Sequence, residues 1–265
     1  MIDSVKEPAS GLGLELMEGE RALTSCPRNE EIWYDLVRAW EMLEELRPRP
    51  HPRSLQVGDH MLTSLAEATA EATRVVPTSP RIALIDARAR PDLPRVAEVA
   101  ARFPGFAPLG LALAQAELAA SAPARAAEVF ARTKGIKAVP GSAATLARIE
   151  LALHDPRAAL AALATKDAPS DEVKTAGSEA YERCGAIPRQ RAFVRYQIEL
   201  ALGHPAPAVR ALLDAAVLGS SEAEGLLTTL PPALAKALAD ARRKGKLTRF
   251  DKDLLRTLAE PTPKD

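Results

Sequence analysis

From Pro104 to Leu163 the apolar positions fall at helical spacing, stop, and start again. Leu113 and Ala114 are followed by Glu117 and Leu118, a break at Ser121–Pro123, then Ala126 and Phe130. The same order returns as Leu146 and Ala147, Glu150 and Leu151, a break at His154–Pro156, then Ala159 and Leu163. Glu117 and Glu150 stand 33 residues apart, the interval of helical-hairpin repeats, ~33–34 residues. The pattern predicts a helix–turn–helix unit that occurs twice.

Helical spacing extends in both directions. Residues 1–11 carry Pro8 and Gly11 without periodicity and read as a loose lead-in, with a short helix over Leu12–Leu23. Asn29 caps the next helix, Glu30 and Glu31 suit its first turn, and Trp33, Leu36, Val37 and Trp40 form the stripe of a buried face. Leu55–Val75 reads as one long helix, followed by helices from Ser79-Pro80 and from Asp92. Ala97–Arg102 echoes Ala127–Arg132, so the periodicity reaches upstream. Downstream, Ile149–Leu153 recurs identically as Ile198–Leu202 at an offset of 49, and an extra helix over Ser170–Cys184 accounts for the added length. Further helices are expected over Arg189–Leu202, Pro205–Leu218, Ser221–Thr229 and Pro232–Lys244. Ser221 and Glu224 read as a capping box. Thr248 and Asp251 cap a last helix whose face is Phe250, Leu254, Leu255 and Leu258. The alternating prolines of Arg47–Arg53 exclude a helix there. The run 47–54 is either a linker that sets an N-terminal hairpin, 1–46, apart from a repeat array over 55–260, or a rigid loop inside one repeat. The tail 261–265 is expected to be disordered.

With a large apolar residue beside an alanine at each crossing point, the 104–163 stretch resembles the tetratricopeptide family. Residues 27–40 resemble it too, through a proline followed by Trp33, Leu36 and Trp40, and depart from it at Val37, where the family prefers a small residue. The resemblance implies an all-α fold, a right-handed α-solenoid of antiparallel helix hairpins, here of roughly a dozen helices. It also implies a concave groove, lined by the first helix of each hairpin, that takes an extended peptide or a partner helix. Two positions per helix would look into it, three residues before the packing residue and immediately after it. With packing residues Val37, Ala114, Ala147 and Tyr196, the earlier set is Tyr34, Leu111, Ala144 and Phe193, and the later set is Arg38, Gln115, Arg148 and Gln197. The lysine and asparagine of the family's carboxylate clamp are absent from these positions, so capture of a C-terminal carboxylate is not implied.

Composition agrees with close-packed helices: 47% of residues are hydrophobic but only 4% aromatic, and no run alternates like a strand. Basic and acidic residues number 35 each, and this zero net charge counts against a dedicated nucleic-acid partner. Cys26 and Cys184 stand in no metal-like spacing. No signal-like segment and no apolar run of ~18 residues occurs, so a cytoplasmic protein without membrane contact is expected.

Little in the chain points to catalysis. His51, His60, His154 and His204 lie outside any ligand spacing, and Asp155-Pro156 reads as a helix cap followed by proline. Gly11-Leu12-Gly13 follows no strand, and no phosphate loop or nucleophile motif appears. Neither a metal nor a cofactor is expected. The densest cationic run is Arg242, Arg243, Lys244, Lys246 and Arg249, continued by Lys252 and Arg256. It is either a solvated helix end or a patch for an acidic or phosphate-bearing partner, and no exposed aromatics are expected within it to stack on bases. The reading is a non-enzymatic adaptor that binds another protein through its groove or as a subunit of a complex. The alternative is a helical-repeat binder of RNA or a phosphate-bearing ligand through the basic cluster.

Overall fold

The computed structural model describes residues 7–46, 55–57, 60–165 and 186–259. Its helices are α1 (Glu7–Ser25), α2 (Glu30–Leu46), α3 (Leu65–Val75), α4 (Pro80–Ala89), α5 (Leu93–Arg102), α6 (Ala107–Ala119) and α7 (Pro123–Arg132). They continue with α8 (Ser142–Ala152), α9 (Pro156–Ala164), α10 (Ala186–Ala201), α11 (Pro205–Val217), α12 (Ser221–Thr228), α13 (Pro232–Arg243) and α14 (Arg249–Ala259). The fold class is all-α, as the periodicity predicts. Two expectations at the N-terminal end are corrected. The first helix begins at Glu7, since Pro8 in a first turn forfeits no intrahelical hydrogen bond. The helix expected over Leu55–Val75 is instead a two-stranded antiparallel ribbon, β1 (Leu55–Val57) and β2 (His60–Leu62), followed by α3. Leu55 pairs with Leu62 and Val57 with His60; in sequence, the dipeptide Gly-Asp between two short apolar runs is a signal that opposes a helix. The expected linker, the extra helix over Ser170–Cys184 and the tail 261–265 lie outside the described residues.

Local chemistry sets the helix ends. Ser64, Ser79, Asp92 and Asp155 each accept the amide three residues on, at 3.2, 3.2, 3.1 and 2.9 Å. Pro80, Pro94 and Pro156 then occupy first-turn positions where no amide is missed. The cap of α12 is Ser220, one residue before the expected one. Thr248 and Asp251 form a reciprocal box, Asp251 accepting the Thr248 amide at 2.7 Å and Thr248 the Asp251 amide at 3.2 Å. At the other end, α8 and α10 close alike: His154 and Gly203 adopt left-handed conformations, with φ of 65° and 73°. The next amides, of Asp155 and His204, then reach back to the carbonyls of Glu150 and Glu199, both at 2.9 Å.

The chain divides into two compact units, Met1–Ser121 with Ala131–Lys134, and Ala122–Phe130 with Gly135–Asp265. In the first, α1 packs on α2, α3 on α4 and α5 on α6, while α4 also meets α2 and α6. One core runs through these layers: Leu16 and Leu23 of α1, Trp33, Leu36 and Trp40 of α2, Leu65 and Ala72 of α3, Ile82 and Ile85 of α4. Contact between alternate helices is what stacks one hairpin on the next. Gly110 of α6 serves the same close packing, because a Cβ there would stand 2.4 Å from Thr133 Cγ2. In the second unit α8 packs on α9, and α10 on α8, α9 and α11. The last helices close this core, with Leu234, Leu247, Leu254, Leu255 and Leu258 against Leu212 and Leu227. Phe250, expected on that buried face, is 72% exposed, and fully buried Asp251 takes the inward position instead.

Candidate partner-binding face

The four packing residues of the expected groove, Val37, Ala114, Ala147 and Tyr196, are all buried. Their helices α2, α6, α8 and α10 therefore turn the anticipated edge inward. Which neighbouring residues reach solvent differs between the units.

In the first unit the positions that precede the packing residue belong to the core. Leu111 is buried, and Tyr34 lies beneath α4, with the Arg81 guanidinium 3.5 Å from its ring centroid. Arg81 also reaches Glu31 at 3.0 Å. Two to three turns along, Glu41 is held by Arg38 of its own helix and by Arg88 of α4, the latter at 3.5 Å. Glu31 with Arg81 and Glu41 with Arg88 advance together along both helices, so α2 and α4 run the same way, as equivalent helices of stacked hairpins do. Asp35 sits beside this ladder, and desolvation, then the Glu31 charge, raise its carboxyl above the ordinary value while Arg81 opposes them. Gln115 is half-buried on α6. The sequence reading expected α4 from Ser79-Pro80 but gave it no part beside α2. Its signal was Arg81 and Arg88, seven residues apart on one helix face and flanking a run that is buried all round, Ile82–Ala87.

In the second unit Ala144 is fully buried, whereas the other expected residues reach solvent. The helices that share the Ile-Glu-Leu-Ala-Leu signature touch directly, Ala144 and Ala147 of α8 in one cluster with Val194 and Ile198 of α10. Ile149 and Ile198 occupy the same place in the signature, and both are fully buried. Arg148 is exposed, and Phe193 and Gln197 are half-buried. Phe193 leans on Tyr196 at a ring separation of 5.7 Å. Desolvation, then the Glu222 charge, push the Tyr196 hydroxyl above its ordinary value, so it stays a neutral donor and acceptor. Arg148 and Gln197 have no hydrogen bond or ion pair among the described residues, whereas Arg191 spends its guanidinium on the Thr165 carbonyl at 3.1 Å.

The basic cluster lies elsewhere, on α13, α14 and the turn between them, with Arg242, Arg243, Lys244, Lys246 and Arg249 all exposed. Among the described residues no group of three or more histidine, cysteine or acidic side chains could hold a metal ion. No described helix is long and apolar enough to cross a membrane.

Stacked antiparallel hairpins whose equivalent helices run the same way give a tetratricopeptide-like helical-repeat fold. No family profile matches the chain, and no curated protein matches it. Among solved structures, 97% of the chain superposes on a chain from the crystal structure of the APC/C hetero-tetramer Cut9-Hcn1, with a TM-score of 0.60 at 12% identity. The chain spans about half the length of that neighbour, 47% of it. At this identity the likeness concerns the fold.

Proposed function

We propose that this protein is a non-enzymatic adaptor that holds a segment of another protein along the first helices of its hairpins, or docks through them as a subunit of a larger assembly. The observation that carries the reading is the α8–α10 face. Arg148 and Gln197 offer hydrogen-bonding groups without a partner in the described chain, beside the half-buried ring of Phe193. A partner backbone or carboxylate would take charge-assisted bonds from Arg148, Gln197 supplies both a donor and an acceptor, and Phe193 provides the apolar anchor. The neighbouring solved structure, that of a hetero-tetramer, supports a protein partner. Within the first unit, taken by itself, the corresponding proposed positions are Tyr34, Arg38, Leu111 and Gln115, of which Arg38 and Gln115 are partly exposed. Repeat arrays of this kind ordinarily serve as scaffolds, and a cytoplasmic site of action accords with this.

The test is affinity capture from the native cell, identification of the partner by mass spectrometry, and direct binding of the purified pair. Arg148→Ala, Phe193→Ala and Gln197→Ala are then compared singly with the parent. Losses of about 1–2 kcal/mol each, at unchanged helicity, are expected for a buried anchor and its flanking polar contacts. Three folded variants that bind as tightly as the parent would overturn the assignment of this face.

A further inference from the structure

The turn between α13 and α14 carries more positive charge than helix ends require. Arg242, Arg243 and Lys244 close α13, where cations suit the macrodipole. Arg249 and Lys252 stand on the first turn of α14, where the same dipole disfavours them. Asp251 in that turn offers no compensation, since its carboxylate is fully buried and bonded by Arg210 of α11 at 2.7 and 2.8 Å. Arg243 is paired with Asp240 at 2.6 Å, while Arg249 reaches Asp253 only at 3.8 Å. Arg242, Lys244, Lys246 and Lys252 have no ion-pair partner among the described residues.

Amid these cations stands Phe250, 72% exposed. The other large apolar side chains of α14, Leu254, Leu255 and Leu258, pack into the core of the second unit, so the ring is the one left outside. A solvated helix end has no use for an exposed phenylalanine, whereas a docking surface uses an aromatic anchor ringed by charge.

We propose that this turn docks a short acidic segment of a partner protein, with an apolar side chain of that segment set against Phe250. Charge complementarity selects an acidic occupant. The neutral chain, with 35 charges of each sign, provides no long-range field for a polyanion, and a single exposed ring cannot stack successive bases. A short protein segment fits both facts better than nucleic acid does. This surface is carried by residues other than those of the α8–α10 face, and either assignment can fail without the other.

The test uses the full chain and a fluorescein-labelled synthetic peptide that alternates glutamates with leucine and phenylalanine, read by fluorescence anisotropy. A lysine-for-glutamate version of the peptide, a single-stranded oligouridylate and phosphatidylserine vesicles are the comparison probes. Saturable binding of the acidic peptide is expected, weakened about tenfold by the combined Lys244→Glu, Lys246→Glu and Lys252→Glu changes. Phe250→Ala is expected to weaken it by a similar factor, roughly tenfold. All variants, being altered at exposed positions, should keep the parent's helicity and melting temperature. Peptide binding that is indifferent to both the charge reversals and Phe250→Ala overturns the proposal. So does tighter binding of the oligouridylate or the vesicles than of the peptide.

Discussion

The guanidinium of Arg81 lies over the ring of Tyr34, 3.5 Å from its centroid, and joins α4 to α2 across 47 residues of sequence. The contact does two things at once. It covers a buried tyrosine with a side chain that keeps part of its charge in water, and it leaves Arg81 free to pair with Glu31 at 3.0 Å. Arg81→Ala is expected to lose about 0.5–1 kcal/mol of cation–π attraction and a comparable amount from the partly exposed pair. Arg81→Lys should recover the ion pair but little of the stacking, because an ammonium lacks the planar face. Thermal unfolding of the three proteins should rank them parent, Lys, Ala; equal melting temperatures would mean that the contact contributes nothing.

Gly110 provides a case in which helix propensity and packing oppose each other. Alanine in place of a helical glycine favours a solvated helix by about 1 kcal/mol. Here the added Cβ would meet Thr133 at 2.4 Å from Cγ2 and 2.6 Å from Oγ1. Overpacking of this kind costs about 1–3 kcal/mol, so Gly110→Ala is expected to destabilise. Adding Thr133→Ser or Thr133→Ala should restore part of the loss, and a double-mutant cycle in denaturant measures it. A Gly110→Ala protein more stable than the parent would show that packing there is loose.

His154 holds a left-handed conformation, φ 65°, at the position where the repeated signature carries Gly203, φ 73°. An L-residue pays roughly 1–2 kcal/mol in that region, part of which glycine returns through its greater freedom when unfolded. His154→Gly is therefore expected to stabilise the protein by about 0.5–1 kcal/mol. His154→Val, β-branched at a positive φ, should do the reverse. Urea midpoints of the two variants on either side of the parent's would bear this out.

The Arg210–Asp251 pair makes stability depend on acid pH. Hydrogen bonds from Arg210, and then from Thr248, hold the Asp251 carboxyl at about 2 against burial that pushes the other way; the ordinary value is 3.8. A carboxylate whose folded value is depressed stabilises the fold above the unfolded value and loses that contribution as pH falls through the folded one. The contribution, on the order of 2 kcal/mol, should be fully present above about pH 5 and fade between roughly pH 4 and pH 2. Asp251→Asn should melt lower at neutral pH and show a flatter loss across that window. Parallel pH profiles for the two proteins would remove Asp251 from the account.

Much of this molecule is readable from local chemistry, because helix starts and stops depend on a few neighbouring residues. Asp155 with Pro156, Ser79 with Pro80 and Thr248 with Asp251 mark their helix ends in sequence and do so in the structure. The packing residues Val37, Ala114, Ala147 and Tyr196 followed from the family resemblance, and all four are buried. The ribbon of Leu55–Val57 and His60–Leu62 went unread because the apolar spacing of the following helix runs on into Met61 and Leu62. What the linear chain does not contain is which helix lies over which. Tyr34 occupies an expected groove position, yet it is buried because Arg81, which no local pattern ties to α2, reaches it from α4. Phe250 shares helical spacing with Leu254 and Leu258, yet it stands in solvent while its neighbour Asp251 turns inward to Arg210. Spacing tells which residues share a face. Whether that face is covered depends on the partner helix, and only the tertiary structure supplies the partner.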